Sequence, residues 1–476
     1  MSMRTELCAA LVLLSGCVTS SSQSDRAAVG DIVRERTRSP WSDPRARPND
    51  EIDRDVSEML KTDLTLDNAV RIALMNNPQL RAELADLGIA RGQLVQANMF
   101  PTVDFDFAVR FPQGSDHPRS WDVGAGLDLT QLILRGPRTE TAQAELDAAR
   151  IRAAGAALDL AYRVRLAYYD VQAAEQQLEL FRTAMQAFAA SYDAARELLR
   201  VGNTIELDVA TEQTAYEGAR VAVAEAEADV IDAHERLNIL LGLFGRDTTW
   251  TIGPRLPDPA ASLGDLDRLE TRAIEASLEL AETRAQLLAL ARRVGLTKLT
   301  GILPSLNLGV SAEKHEGFWA VGPAVHGTVP LFDRMQGVRI AQESELEGLR
   351  ERYQANAIEI RASLRATRDR ALSAQARVDA YRNTLLPLRE RVVQQSLLQY
   401  NAMQIGVFQL LQARRDQLDA GRNYVATLHE YWRSRSALEQ ILAGRLVASL
   451  GVMSRAPNSG PSMPSGSSDH GGGNGH

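Results

Sequence analysis

The sequence predicts a mainly α-helical, internally duplicated chain that adds four β-strands to a membrane barrel. Three patterns predict this fold class. Apolar residues recur in steps of four and three over long stretches, which is the repeat of coiled-coil helices. Two segments in each half alternate strictly between apolar and polar residues, as membrane strands do. Similar short sequence segments occur again in the same order roughly 200 residues later, so one large unit is present twice.

The composition is that of a folded protein and excludes several functional classes. Of the 476 residues, 45% are hydrophobic and 24% are charged, which excludes wholesale disorder. The 61 acidic and 53 basic residues give a net charge of −8. We therefore expect no nucleic-acid partner, because phosphate binding needs clustered Lys and Arg. The longest apolar run has about ten residues, too few for a transmembrane helix, so any membrane crossing must use strands.

Residues 1–16 have the pattern of a cleaved secretion signal. Arg4 precedes an apolar run over residues 7–14. The run closes with Leu14-Ser15-Gly16-Cys17, which resembles the lipobox of bacterial lipoproteins. That resemblance implies cleavage before Cys17 and acylation of Cys17. Ordinary secretion with an incidental cysteine is the alternative.

The residue after the lipobox indicates where such a lipoprotein resides. Val18 follows Cys17, whereas an Asp at that position tends to retain lipoproteins at the inner membrane. The resemblance therefore implies a lipid-anchored protein of the bacterial outer membrane that extends into the periplasm. Residues 17–63 are polar, contain prolines and show no periodicity, so we expect a lipidated, extended segment and not a domain.

Similar sequence segments in the two halves define the domain boundaries. Met99-Phe100-Pro101-Thr102-Val103 corresponds to Ile302-Leu303-Pro304-Ser305-Leu306. A continuous helix between the halves is excluded by three prolines, Pro254, Pro257 and Pro259. The predicted organisation is a first repeat at 64–244, a linker at 245–264, a second repeat at 265–444 and a flexible tail rich in Gly, Ser, Pro and His at 445–476.

Each repeat is expected to contain a pair of long antiparallel helices, at 138–244 and at 334–443. In the first pair the apolar positions step by four and three without a break: Leu160, Val164, Ala167, Val171, Ala174, Leu178, Phe181, Met185, Phe188, Tyr192, Ala195 and Leu199. The second repeat carries the corresponding stripe: Ile360, Leu364, Thr367, Ala371, Ala374, Val378, Tyr381, Leu385, Leu388 and Val392. A spectrin-like rod is the alternative for the helical part taken alone.

The segments before these helix pairs are expected to form β-hairpins, at 101–133 and at 302–332. One face is apolar, for example at Val103, Phe105 and Phe107, and each run is long enough to cross a bilayer. The polar face is predicted to line a lumen: Asp104, Asp106, Arg110, Asp122, Asp128, Ser305, Asn307 and His326. A soluble hairpin packed on a helix is the alternative, but it leaves the Trp near both outer ends unexplained.

Four strands cannot close a barrel by themselves. Open strand edges are not tolerated in lipid, and membrane barrels have at least eight strands. We therefore expect the chain to oligomerise, and three copies would supply twelve strands. The polar face has four carboxylates and one guanidinium group per chain, which favours cations or neutral solutes over anions. A lining that is polar only to hold water is the alternative.

The chain resembles the outer-membrane efflux family of TolC-like channels from about Leu64 to Gly444. The resemblance rests on the order of short segments: Leu66-Asp67-Asn68-Ala69-Val70, Asn76-Asn77-Pro78, Phe100-Pro101, Val201-Gly202-Asn203-Thr204, Leu207-Asp208-Val209 and Val329-Pro330-Leu331-Phe332-Asp333. It implies a homotrimer with a twelve-stranded barrel in outer-membrane lipid and a long α-helical barrel in the periplasm. It also implies a passive exit duct that docks to a periplasmic adaptor and an inner-membrane pump, with no catalysis and no cofactor.

Similar channels close at the periplasmic tip, in the turns between the long helices. The candidate tip residues are Glu206, Asp208, Glu212, Tyr400, Gln409 and Gln412. Met403 replaces the family's Gly three residues after the tip tyrosine, and Gln409 and Gln412 stand where studied members have acidic residues. We expect a constriction of Gln409 and Gln412 rings, supported by Asp208. Solvated residues at an ordinary helix turn are the alternative.

The sequence says little about the exported substrate. His470 and His476 in the tail are weak candidates for metal ligands, and a disordered tail is the alternative. His234-Glu235 and His429-Glu430 lack the second histidine of a zinc protease motif, so we expect no catalytic and no metal site there. The long helical stretch resembles the heavy-metal branch of the family, which raises metal ions, copper included, as substrates. A duct for type I protein secretion and a periplasmic coiled-coil lipoprotein without a channel are the alternative functions.

Overall fold

The computed structural model describes residues 23–37, 40–41, 43–111, 119–259, 268–303, 305–315, 318–328, 332 and 334–447. The predicted signal peptide, the lipidation candidate Cys17 and the tail from 448 onward, with His470 and His476, lie outside the described residues. Within the described part, helices predominate and the strands form one sheet.

The N-terminal segment is helical, which corrects the expectation that 17–63 is extended. Helix α1 spans Gln23–Thr37 and helix α2 spans Asn49–Met59. Each has a pair of apolar residues one helical turn apart, and these are buried: Val29 and Val33, Ile52 and Val56. Such a pair can dock a short helix on an existing surface, but two positions among charged neighbours leave no visible period in the sequence.

Polar contacts fasten α1 to both repeats. The carboxylate of Asp25 is fully buried and accepts a hydrogen bond from Arg150 Nε in the first repeat, at 3.1 Å. Arg36 Nη1 donates to the carbonyl oxygens of Ala276, at 2.7 Å, and Ala443, at 3.0 Å, in the second repeat. Because both carbonyls stand at helix C-termini, one guanidinium group satisfies two helix ends. The N-terminal segment therefore joins the two repeats.

The first repeat begins with two helices that meet at a capped turn, α3 at Leu66–Asn76 and α4 at Pro78–Ala97. Asn77 Oδ1 accepts a hydrogen bond from Leu80 N at 3.0 Å. Pro78 at the first helical position has the φ that a helix start requires. This turn sends α4 toward the strands.

The strands and long helices of the first repeat are β1 (Val103–Arg110), β2 (Ser120–Asp128), α5 (Leu129–Arg200) and α6 (Glu206–Leu241). Helix α5 has 72 residues and is about 108 Å long at 1.5 Å per residue. It starts earlier than the predicted 138, because Asp128 Oδ1 caps it by accepting a hydrogen bond from Gln131 N at 3.0 Å. It then continues through Pro137.

The linker predicted at 245–264 is packed over the part that the structure describes. It opens with a 3₁₀ helix at Gly245–Thr248. Ile252 then forms a parallel bridge with Leu64, at the start of the first repeat. Three of its apolar side chains belong to the main core: Trp250, Ile252 and Leu256. Helix α6 ends before the prolines and is capped by Gly242, which has φ +70°. The described part of the linker is therefore non-helical after the 3₁₀ turn, and it belongs to the folded body.

The second repeat follows the same order of elements: α7 (Leu269–Ala276), α8 (Leu278–Thr300), β3 (Ser305–His315), β4 (Phe318–Thr328), α9 (Gln336–Ala380), α10 (Leu386–Asn401) and α11 (Val407–Leu442). Its first two helices also meet at a capped turn, where Ser277 Oγ accepts a hydrogen bond from Leu280 N at 3.1 Å. The cap stands 200 positions after Asn77, so the two repeats use the same local device.

The long helix of the second repeat is interrupted. Residues Tyr381–Leu385 form a π-helical turn between α9 and α10, and Pro387 follows two positions later. Proline has no N–H to donate to the preceding turn, so the hydrogen-bond ladder changes phase. The predicted apolar stripe is buried as far as Val378, whereas Leu388 and Val392 beyond the π turn are exposed.

The four strands form one antiparallel sheet in the order β1-β2-β3-β4. The helices that precede or follow the strands all attach at one end of the sheet, here called the helix end, and the opposite end is called the hairpin end. The main core lies on α5, where α1, α3, α4 and α6 pack against it, well away from the strands. In the residues that the structure describes, no helix combines the length and hydropathy needed to cross a bilayer.

Candidate functional site in the sheet and at the helix turns

The sheet separates polar from apolar side chains. Asp106 lies opposite Gly124, which lies opposite Ser311, and Phe105 lies opposite Ala125. Directly paired residues of antiparallel strands point to the same side. The register therefore places all eight predicted lumen residues on one face, here called the polar face.

Contacts across the polar face link its charged and amide side chains. Arg110 Nη2 lies 3.0 Å from Asp122 Oδ2. Asn307 Nδ2 reaches across β2 and donates to Asp104 Oδ2 at 3.3 Å. The Asn307 side chain can cross β2 because Gly126 has no side chain. A Cβ at this position would come within 2.3 Å of the Asn307 side chain. An open cleft of about 990 Å³ is lined by polar side chains of this face, among them Asp104, Asp106, Asp122, Asn307 and His326.

Two end residues of the polar face have local structural roles. Asp128 ends β2, and its carboxylate caps α5. Ser305 Oγ lies 2.5 Å from Thr328 Oγ1 on the neighbouring strand. Their side chains are therefore engaged at the helix end of the sheet, whereas Asp104, Asp106 and Asn307 line the cleft.

Glu313 is a carboxylate of the polar face that sequence reasoning missed, because it placed 313–317 in a turn. Strand β3 continues to His315, so Glu313 lies directly opposite Asp122. Its alternation with Ser311 could have revealed it. The signal was hidden by Lys314, which interrupts the apolar series of the other face.

The other face, here called the apolar face, is uncovered within the chain. Phe105 is 79% exposed and Phe107 is 65% exposed. Trp121 and Trp319 lie toward the hairpin ends, and the ring centroids of Phe107 and Trp121 are 5.8 Å apart. An exposed apolar surface of this extent needs a lipid or protein partner. The sheet edges need one too, because β1 and β4 each have one neighbouring strand within the chain.

The predicted tip residues lie around the two turns that join the long helices, at 201–205 and 402–406. Glu206 is exposed at the start of α6, and Asp208 Oδ2 accepts a hydrogen bond from Thr204 Oγ1 in the first turn, at 2.5 Å. Tyr400 and Gln409 are exposed on either side of the second turn. Glu206, Tyr400 and Gln409 are therefore available to a neighbouring molecule or to solvent, whereas Asp208 is half-buried.

Glu212 stands apart from the other tip residues because it is buried. Its carboxylate forms an ion pair with Arg415 of α11 and accepts a hydrogen bond from Ser191 Oγ of α5. The Arg415 guanidinium also lies 4.6 Å from the centroid of the Phe188 ring. The pair joins three helices just above the turns. Sequence reasoning missed Arg415; the signal available was that a buried carboxylate needs a cation.

Gln412 belongs to a more exposed network in the second repeat. Gln412 Nε2 donates to Asp416 Oδ1 at 2.8 Å, and Arg389 Nη1 of α10 lies 2.9 Å from Asp416 Oδ2. Both charged side chains are more than a third exposed. Gln412 is therefore held beside an ion pair, within one protomer.

The two turns differ in their left-handed residue. Gly202 has φ +76° in the first turn and Met403 has φ +57° in the second. Glycine adopts this conformation freely, whereas a side chain there is strained. The Met403 side chain is 94% exposed, so no packing within the chain compensates for the strain.

Comparison with known sequences supports the predicted family resemblance. Residues 69–243 match the sequence model of the outer membrane efflux proteins. A relative with 22% identity over 391 residues, the cobalt-zinc-cadmium resistance protein CzcC of Cupriavidus metallidurans, aligns over 80% of this chain and 90% of its own length. The predicted resemblance to the outer membrane efflux protein family is confirmed. The chain is therefore an outer-membrane exit duct for efflux, as the sequence predicted.

Solved structures have the same fold as this efflux protein. A membrane protein from Pseudomonas aeruginosa superposes with a TM-score of 0.68 at 19% identity, covering 79% of this chain and 93% of that one. The outer membrane channel CmeC of Campylobacter jejuni gives a TM-score of 0.68 at 16% identity, covering 80% and 85%. At these identities the likeness concerns the fold.

A charged cluster joins the two repeats of this efflux protein midway along α5. Asp170 Oδ1 lies 2.7 Å from His429 Nε2 and 2.7 Å from Arg433 Nη1, both on α11. Burial of Asp170 opposes its ionisation, but the His429 ring and the Arg433 guanidinium outweigh burial and hold the pKa of the carboxyl below its usual range. Sequence reasoning treated His429 as ordinary and did not find this contact.

No group of three or more His, Cys, Asp or Glu side chains suited to hold a metal ion occurs among the described residues. His234, examined as part of a zinc protease motif, lies 2.9 Å from Glu175 and stacks on the Trp250 ring at 4.4 Å. These contacts give His234 a structural role in packing the linker.

Proposed function

We propose that three copies of this efflux protein close a twelve-stranded barrel in the outer membrane and continue it as an α-helical barrel in the periplasm. The observation that carries the proposal is the four-stranded sheet, with one polar face, one exposed apolar face and two unpaired edges. Pairing β1 of one protomer with β4 of the next would satisfy every edge without leaving backbone groups unpaired in lipid.

The helices also support a trimer. Helix α10 has no residue that is buried within the chain, although four of its apolar side chains are exposed: Leu388, Val392, Leu397 and Leu398. A helix of this composition is stabilised when a neighbouring helix covers its apolar side. The adjacent protomer would supply that helix in a closed helical barrel.

A pair of lysine substitutions, one residue apart, tests the assignment of the two faces. A lysine on a lipid-facing strand costs about 2–4 kcal/mol at the bilayer midplane, whereas lumen substitutions tune selectivity. Phe105→Lys should abolish pore formation in planar bilayers. The matched Asp106→Lys should still insert and should lower the preference for cations. Equal insertion by both variants would contradict the proposed membrane sheet.

We infer that the duct carries cations, metal ions among them. The polar face has five carboxylates per chain, Glu313 now included, against the guanidinium of Arg110, and such a lining favours cations. The relative CzcC is named for cobalt, zinc and cadmium resistance. Deletion of the gene should sensitise the host to one of these metals or to copper more than to a panel of drugs. Sensitivity to drugs alone would exclude metal export.

We propose that the chain is anchored by acylation of Cys17 and works with a periplasmic adaptor and an inner-membrane pump. The lipobox supports the anchor, and the exposed side chains around both turns offer a docking surface for an adaptor. Metabolic labelling with palmitate should mark the wild-type chain and leave Cys17→Ser unlabelled. Label in Cys17→Ser would refute acylation at this residue.

We propose that the closed tip is held by the Glu212–Arg415 pair and constricted by Gln409, Gln412 and Asp208. The pair joins α5, α6 and α11, so separating these helices requires breaking it. Substituting both glutamines by alanine should raise the conductance of the closed channel. An unchanged conductance would place the constriction elsewhere.

A further inference from the structure

The apolar face of the sheet has positive charges, and they are confined to the hairpin end. Along its described positions the side chains are apolar except Arg119 and Lys314. Arg119 directly precedes β2, and Lys314 is the next-to-last residue of β3. The end of this face nearest the helices has neither.

Aromatic rings surround both cations. Lys314 lies directly opposite Trp121 on β2 and Trp319 on β4, and its Nζ is 5.9 Å from the centroid of the Trp319 ring. The Arg119 guanidinium is 5.2 Å from the centroid of the Phe111 ring. Each charged head therefore lies near the face of an aromatic ring, at the hairpin end of the apolar face.

The two cations can act on one ligand. Trp121 is the strand partner of Lys314. Arg119 precedes Trp121 by two positions, toward the hairpin end. Strands lie about 4.8 Å apart and rise about 3.4 Å per residue, so regular strand geometry extended by one residue to Arg119 would place the two Cα atoms about 8 Å apart. Both side chains are long enough for their heads to meet a single phosphate group.

The carboxylates at this level of the sheet lie on the opposite face. Asp122 and Glu313, the chain neighbours of Trp121 and Lys314, both point to the polar face, where Arg110 pairs with Asp122. Along the described positions of the apolar face there is no carboxylate. Over the residues that the structure describes, the hairpin end of the apolar face is therefore net positive.

We propose that Lys314 and Arg119 bind the phosphate groups of a phosphorylated glycolipid in the outer leaflet. This inference rests on the proposed function, because a periplasmic helical barrel places the hairpin end at the outer surface. Tryptophan marks the interface between the apolar core and the headgroups, and a cation at that depth meets lipid phosphate. The apolar side chains nearer the helices would meet the acyl chains.

The test uses the full-length protein in phosphatidylcholine nanodiscs that contain a small fraction of bisphosphorylated lipid A. Native mass spectrometry should count retained lipid A on the wild type. Lys314→Gln with Arg119→Gln should lower its apparent affinity by about tenfold to thirtyfold. Arg110→Gln is the matched control, because it removes a cation at the same height from the polar face, and it should leave the retention of lipid A unchanged.

Each other outcome overturns the inference. Equal retention by the double variant, or an equal loss in Arg110→Gln, would show that these two cations do not select the lipid. Equal retention of dephosphorylated lipid A would show that phosphate is not recognised. Displacement by millimolar inorganic phosphate would indicate a simple anion site. Conductance of the same preparation separates this failure from failure of the duct itself, because a conducting protein that does not retain lipid A contradicts the present inference alone.

Discussion

The two repeats share an order of elements, yet they differ where the long helices approach the tip. In the first repeat α5 runs without interruption to Arg200 and its turn uses Gly202. In the second, a π turn divides the helix and the turn uses Met403. The first repeat also buries Glu212, whereas the second exposes Gln409 and Gln412.

This difference indicates that the two repeats have different mechanical roles. The first repeat provides a continuous support, since α5 carries the main core and receives α1, α6 and α11. The second repeat has an interruption, a strained turn and a helix without buried residues, so less of its free energy comes from contacts within the chain. We expect the tip of the second repeat to move when the channel opens.

The largest expected effect comes from the buried ion pair. Glu212→Gln leaves Arg415 without its counter-charge, and breaking such a pair from one side costs about 3–5 kcal/mol. Arg389→Gln is the matched change in the second repeat, and its half-exposed pair should cost less than about 1 kcal/mol. Denaturant unfolding in detergent measures both, and bilayer recordings should show a raised closed conductance for Glu212→Gln only. Equal effects would contradict the asymmetry.

The next-largest effect on stability is expected at the left-handed residues of the two turns, Gly202 and Met403. Met403→Gly should stabilise the protein by about 1 kcal/mol, because the strain of a side chain at this φ disappears. Gly202→Met should destabilise it by about 1–2 kcal/mol for the same reason. Thermal unfolding of both variants checks the signs. If Met403→Gly destabilises the protein, then Met403 has a partner outside its own chain.

The π turn gives a smaller effect. Pro387→Ala restores one backbone donor and should stabilise the helix by about 1 kcal/mol, which is the worth of one hydrogen bond. If the interruption serves opening, the same variant should open less often in bilayer recordings. An unchanged opening frequency would mean that the π turn is only a consequence of the proline.

The smallest effect concerns acid stability. The pKa of Asp170 is lower in the folded protein than its ordinary value, so its ionised form stabilises the fold above about pH 4. This contribution is lost as the pH falls through the folded pKa. Asp170→Asn should therefore be less stable at neutral pH, by less than about 1 kcal/mol, and should lose less stability on acidification. If the unfolding free energies of the two proteins depend on pH in the same way, the proposed linkage to Asp170 is contradicted.

Period-based reasoning succeeded where one pattern is repeated many times. The alternation of Val103, Phe105 and Phe107 with Asp104 and Asp106 was enough to place the strands and their faces. The stripe of α5 likewise predicted its buried positions near Leu160 and Val164. In both cases each residue adds independent support to the same geometry.

Contacts between distant segments could not be predicted in this way. Arg415 meets Glu212 across 203 positions, and that depends on the rotation of three helices about their axes. Helix α1 is held by Val29, Val33 and contacts to carbonyls in the second repeat, none of which has a local signal. The π turn follows from Pro387, but only the folded chain shows whether the helix kinks, ends or changes phase there.

We propose above all that three chains each contribute four strands to one closed barrel. Native mass spectrometry of the full-length protein, taken from the preparation that conducts in planar bilayers, tests it most directly. We predict a single species with three times the mass of the chain, which dissociates only when the detergent-resistant barrel unfolds. A conducting preparation that contains only single chains, or a stable species of another multiplicity, would contradict the account.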